Sequence, residues 1–172
     1  TDPRNIVLQK KSHGTASKQA KVNIHTIPGE LDSLFTGVTI GSVSQSDTHY
    51  LVSYNAVSAL HYMVSADVGI TNRNIHVVAV DKQTLKPTLA LEDYFLKPNV
   101  FVTPPKLVKI NDDKFLLLWQ EYTYKQMYGH VQGRYVNGKG EFISERIAYP
   151  NAHLSVTQPV VFNDEVVWNE SL

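Results

Sequence analysis

Residues 105–149 read PKLVKINDDKFLLLWQEYTYKQMYGHVQGRYVNGKGEFISERIAY, and the fold turns on how this stretch is parsed. An apolar strand runs to the turn Asn111-Asp112-Asp113, and a second strand returns from it and ends at Trp119. Asn and Asp suit such turns because they tolerate unusual backbone angles and bond their own backbone. A polar loop follows, then a hairpin turning at Asn137-Gly138-Lys139-Gly140 between Val136 and Phe142. A shortened echo of the first half returns at residues 159–170, PVVFNDEVVWNE. The stretch reads as one repeat of an all-β array.

The rest of the chain extends the pattern. Residues 5–10 and 20–27 form two strands; in the second, Val22 and Ile24 alternate with Asn23 and His25, the period of a half-buried strand. A further pair, residues 37–43 and 49–55, is followed by a buried strand at 75–80. Residues 85–91 return as an outer strand, with Pro87 placing it at a sheet edge because proline cannot donate to a ladder. Residues 56–66 fit a short helix or another strand, and their alternation favours the strand. Residues 92–105, dense in proline and turn formers, read as a connector. Many short strands at this spacing indicate a sandwich, a barrel or a propeller.

Composition sets the outer limits. Lys and Arg number 16, matched by 16 Asp and Glu, so no global field draws the protein to nucleic acid or an anionic membrane. The absence of cysteine removes disulfides, thiol catalysis and Cys-based zinc sites. It fits a cytosolic protein or an exported bacterial one, and a secreted or cell-surface location is the preferred expectation. No apolar run approaches the roughly 18 residues that a membrane span requires. The chain opens Thr1-Asp2-Pro3, which reads as a processed product or an excised piece.

Aligning the segments favours the propeller over the sandwich. Pro105, Asn111-Asp112-Asp113 and Trp119-Gln120-Glu121 match Pro159, Asn163-Asp164-Glu165 and Trp168-Asn169-Glu170, and residues 50–55 hold the corresponding place earlier in the chain. Tyr54, Trp119 and Trp168 are the matched aromatics. The pattern resembles β-propeller blades in general, although the signatures of WD40 repeats, kelch repeats and sialidase Asp-boxes are missing. The resemblance implies one all-β region at 1–172: a half-blade at 5–27, blades at 37–91 and 105–149, and a half-blade at 153–170. The two halves could pair into one blade if the termini meet. Closed propellers need about four to eight blades, so the missing ones are expected from another protein chain or the remainder of a cleaved precursor.

Candidate chemistry divides unevenly. Glu121 and Glu170 invite a two-carboxylate glycosidase, but repeat-equivalent residues are better read as serving the fold, for example by accepting backbone N–H groups. Asp112-Asp113 and Asp164-Glu165 read as turn residues rather than calcium ligands. The seven histidines have no metal-binding spacing, and neither a metal nor a cofactor is expected. The aromatic loop after Glu121 is different. Tyr122, Tyr124, Tyr128 and His130 offer rigid amphipathic contact area. His61 and Tyr62 are expected on the same face from the earlier unit. The leading expectation is a non-catalytic binding or structural portion of a propeller that holds a glycan or a partner protein through these residues. The alternative is part of a glycan-active hydrolase or lyase, its site shared with another chain.

Overall fold

The computed structural model describes residues 4–10, 20–27, 38–57, 73–92, 100–123 and 126–170. Every regular element among them is a β-strand, and every pairing is antiparallel. No helix among the described residues is long and apolar enough to cross a membrane.

Strands β1 (Arg4–Lys10) and β2 (Ala20–Ile27) form a hairpin. Strands β3 (Val38–Gln45), β4 (His49–Val57), β5 (Arg73–Asp81) and β6 (Pro87–Glu92) form a four-stranded meander in that order. Pro87 lies on the edge strand, as its missing N–H requires. The second large sheet holds β7 (Val100–Val102), β8 (Lys106–Asn111), β9 (Lys114–Thr123), β10 (Gln126–Val136) and β11 (Ile147–Tyr149). β7 and β8 pair with successive parts of one edge of β9, so they act as a single first strand interrupted at Thr103-Pro104-Pro105. A last hairpin joins β12 (Val160–Phe162) to β13 (Glu165–Val167).

Side-chain alternation sorts these sheets into four layers stacked in chain order. Ile6, Leu8, Val22 and Ile24 of the first hairpin pack on Val52, Tyr54, Ala56, Val78 and Val80 of the meander. The opposite face of the meander gives Leu51, Ile75, Val77 and Ala79 to a core shared with Val102, Leu107, Phe115, Leu117, Trp119 and Val136. The far face of the second sheet, with Val108, Leu116, Leu118 and Val131, is covered by Leu154, Val166 and Trp168. Residues 115–119 of β9 are therefore buried on both faces, which explains their continuous apolar run.

The two large sheets correspond strand by strand. Tyr54 stands opposite His76 as Trp119 stands opposite Gln132. Asp81 and Asn137 fall at the same register position. The Oδ1 of Asp81 accepts from Gln83 and Thr84 N–H, and that of Asn137 accepts from Lys139 and Glu141 N–H. Tyr54, Trp119 and Trp168 each face the layer that precedes their own.

The layers draw together along their first strands. β3 approaches β8 more extensively than any other pair from different sheets, and β12 approaches β8 on the other side. A Cβ on Gly41 would collide with the Pro105 carbonyl, so this contact needs glycine. Ser53 Oγ donates to the same carbonyl at 3.0 Å. Ser42 Oγ of β3 donates to Gln158 Oε1, in the segment that runs from β11 to β12, at 2.7 Å, while Gln158 Nε2 donates to the Leu107 carbonyl of β8 at 2.9 Å. The segment that leads into the last hairpin thus crosses this edge and bonds both large sheets.

Several expectations are corrected. The strand expected to end at Trp119 continues to Thr123, because it pairs with β7 and with β10 past that point. The connector at 92–105 contains β7, hidden in the sequence by the two prolines that break the first strand. The end hairpins do not pair with each other; they are separate two-stranded sheets at opposite ends of the stack. Of residues 56–66, Ala56 and Val57 end β4, and 58–66 lie outside the described residues.

Candidate binding surface

The aromatic group expected to bind a ligand sits where β9 leads into β10. Only Tyr124 and Lys125 separate these strands and lie outside the described residues, so Tyr122 and His130 are strand residues, not loop residues. Ladder hydrogen bonds to β7 and β10 hold the chain extended where the sequence suggested a loop. Tyr122 pairs across the ladder with Phe101, their rings 5.3 Å apart and 26° from parallel. His130 stands opposite Glu121, so it lies on the other face of the sheet from Tyr122. Tyr128 lies within β10, but its side chain is outside the described residues, as are His61 and Tyr62. The structure thus joins Tyr122 to an aromatic that sequence reasoning had passed over, and separates it from His130.

Beneath this end of the sheet, ion pairs and polar bonds fix the neighbouring side chains. Arg146 Nη1 lies 3.0 Å from Glu121 Oε1, and its guanidinium stands 5.7 Å from the Trp119 ring centre. Glu170 Oε1 accepts the His153 N–H at 3.2 Å, the loop-holding role expected of it. Gln120 Oε1 accepts the Leu154 N–H, and Asn55 Nδ2 donates to the Val102 carbonyl; these equivalent amides each hold the backbone of a later segment. Trp168 Nε1 donates to the His153 carbonyl and meets Tyr149 edge-on. Tyr122 remains 37% exposed above this framework, a flat ring held by its neighbour and open to solvent.

Two clefts lie elsewhere. One, of about 400 Å³, is lined by Ser46, Asp47, Asp112, Asp113, Asn137 and Glu141 at the turns of both large sheets. Asp112 lies beside Asp47 and ion-pairs with Lys109. The Asp112 carboxyl beside Asp47 raises the Asp47 pKa above the ordinary aspartate value, while the Lys109 ammonium lowers that of Asp112. The 44–48 turn was visible in the sequence; its partnership with Asp112 was not, because the residues are distant in the chain. No cluster of potential metal ligands occurs among the described residues. The other cleft, of about 310 Å³, lies by the first strands and is lined by Ile40, Thr103, Pro104, Lys106, Leu154, Ser155 and Val156. Lys106 Nζ donates there to the Val156 carbonyl at 2.9 Å.

No protein-family model, curated protein or solved structure matches this chain.

Proposed function

We propose that this chain is a non-catalytic binding portion of a β-propeller, recognising a glycan or a partner protein through the aromatic residues at the β9–β10 end of the second sheet. The observation that carries the propeller reading is the approach of first strands to one another: β3 and β12 both lie against β8, and Gln158, just before β12, bonds Ser42 of β3 and the Leu107 carbonyl of β8. Sheets drawn together along their first strands are what blades arranged around a central axis show. The strand-by-strand equivalence of the two sheets, and the shared direction of Tyr54, Trp119 and Trp168, support the same reading.

The binding role rests on Tyr122. Stacking on Phe101 limits the ordering cost of using its ring as a platform for the C–H face of a sugar or for an apolar partner surface. The carboxylate that a hydrolase would call upon, Glu121, is committed to Arg146. Immobilised neutral and acidic oligosaccharides provide the test, with the unmodified chain compared to Tyr122→Ala, Tyr124→Ala and Tyr128→Ala. At least one oligosaccharide class should retain the chain, and Tyr122→Ala should weaken retention about tenfold, the ~1.4 kcal/mol of one good aromatic contact, in a protein that still folds by far-UV circular dichroism. Unchanged retention in all three variants removes these tyrosines from the account. No retention by any class removes the glycan.

A further inference from the structure

The cleft of about 310 Å³ beside the first strands is assembled from three segments that are distant in the chain. Ile40 of β3 forms one wall, Pro104 in the break between β7 and β8 a second, and Leu154 and Val156, ahead of β12, the third. Hydrogen bonds hold these walls in place. Gln120 fastens two of them. Its N–H donates to Thr103 Oγ1 and its carbonyl accepts the Thr103 N–H, each at 3.0 Å, while its side-chain Oε1 accepts the Leu154 N–H at 3.1 Å. Ser53 Oγ holds the Pro105 carbonyl next to the break. Gln158 ties the third segment to Ser42, two residues beyond Ile40, and to the carbonyl of Leu107, next to Lys106. The cleft is therefore shaped in advance, which spares a ligand the cost of ordering it.

Its lining is apolar with a single charge. Ile40 is 48% and Val156 90% exposed, so both present apolar surface that an occupant would take out of water. The hydroxyls of the lining are engaged: Thr103 Oγ1 by Gln120, and Ser155 Oγ by Thr157 and Asn169. Lys106 is the one charged residue that lines the cleft. Its Nζ donates to the Val156 carbonyl at 2.9 Å, and no carboxylate among the described residues pairs with it, whereas Lys109 on the same strand is paired with Asp112. An ammonium has three donors, so two remain for an anion.

We infer that this cleft binds a small amphipathic monocarboxylate, with its carboxylate on Lys106 and its apolar body against Ile40, Pro104, Leu154 and Val156. A sugar would find few open hydrogen-bonding groups there, and a cation would be repelled by Lys106. An anion without an apolar body would leave Ile40 and Val156 in water. The volume lies at the lower end of the roughly 300–1,000 Å³ of small-molecule sites, which suits a short chain or a single ring. No tyrosine among the described residues lines the cleft, so a ligand here does not draw on the aromatic surface at the β9–β10 end.

Three ligands with one body and different heads test the site: hexanoate, hexanol and hexylammonium, titrated into the isotope-labelled chain and followed by its amide shifts in two-dimensional NMR. Hexanoate should move the amides of Lys106, Leu154 and Val156 and saturate them. It should bind about fivefold tighter than hexanol, the upper range for one solvent-accessible ion pair. Hexylammonium should bind more weakly than the alcohol. Lys106→Met should erase the preference for the carboxylate and Lys106→Arg should keep it, while Val156→Ser should weaken hexanoate and hexanol alike. Far-UV circular dichroism checks that each variant folds, and Lys106→Gln replaces Lys106→Met if the latter does not. Equal affinity for hexanoate and hexanol in the parent overturns the carboxylate as the recognised group. A preference that survives the loss of Lys106 overturns its role, and shifts centred elsewhere, or no saturation by either ligand, overturn the cleft as the site.

Discussion

Replacing Gly41 with alanine probes the edge where the layers converge. A Cβ at this position would lie 2.8 Å from the Pro105 carbonyl carbon and closer still to its oxygen, against the 3.4 Å at which ordinary contact begins. The obstacle is backbone, so no side-chain rotation relieves it. Moving the Pro105 carbonyl away by about an ångström or more carries the cost of an overpacked core, about 1–3 kcal/mol. The same shift stretches the buried Ser53 Oγ–Pro105 O hydrogen bond, worth about 1 kcal/mol. The expected loss is therefore about 3 kcal/mol. In a chain of this length that is a fall in Tm of about 6–12 °C by scanning calorimetry. Gly133→Ala is the comparison. Its added methyl would meet side-chain atoms of Tyr149, Leu118 and Leu116, which can give way, so its loss should be smaller. A Gly41→Ala protein that melts within about 1 °C of the parent would refute the close approach of β3 and β8.

Trp119 is fully buried between the two large sheets, and Trp119→Ala should cost about 3–5 kcal/mol in a urea titration followed by far-UV circular dichroism. A loss under about 1 kcal/mol would mean that the sheets do not share this core. The Asp47–Asp112 contact gives a pH dependence. The folded-state pKa of Asp47 is raised, so the stability it contributes is complete below its unfolded value and is lost as pH rises through the folded one. Asp47→Asn should accordingly raise Tm at neutral pH, with the gain vanishing in acid; a gain independent of pH would sink the assignment. Asp81 has the opposite sign. Backbone N–H groups of Thr84 and Gln83 lower its pKa, so Asp81→Asn should lower Tm at neutral pH and make less difference as acid protonates the native carboxyl.

Much of this architecture was legible in the sequence because its signals are local. Asn111-Asp112-Asp113 and Asn163-Asp164 mark turns, and Asn163 and Asp164 do adopt the left-handed backbone angles of a tight hairpin. Pro87 marks an edge, and the continuous run 115–119 marks a strand covered on both sides. What was missed depends on partners distant in the chain. β7 looks like connector because only its pairing with residues 121–123 makes it a strand. Tyr122 and His130 look like loop residues because polar neighbours hide a ladder that extends past Trp119. The equivalent roles of Asn55 and Gln120 could have been suspected from their place directly after Tyr54 and Trp119, but the carbonyl and N–H they bond lie far along the chain.

The drawing together of the sheets along their first strands is tested most directly by a double-mutant cycle on Ser42 and Gln158, with stability measured for Ser42→Ala, Gln158→Ala and the pair. The bond between β3 and the segment that leads into β12 predicts a coupling energy of about 1 kcal/mol. Additive losses, with a coupling near zero, would mean that this segment does not reach β3 and that the sheets do not converge along this edge.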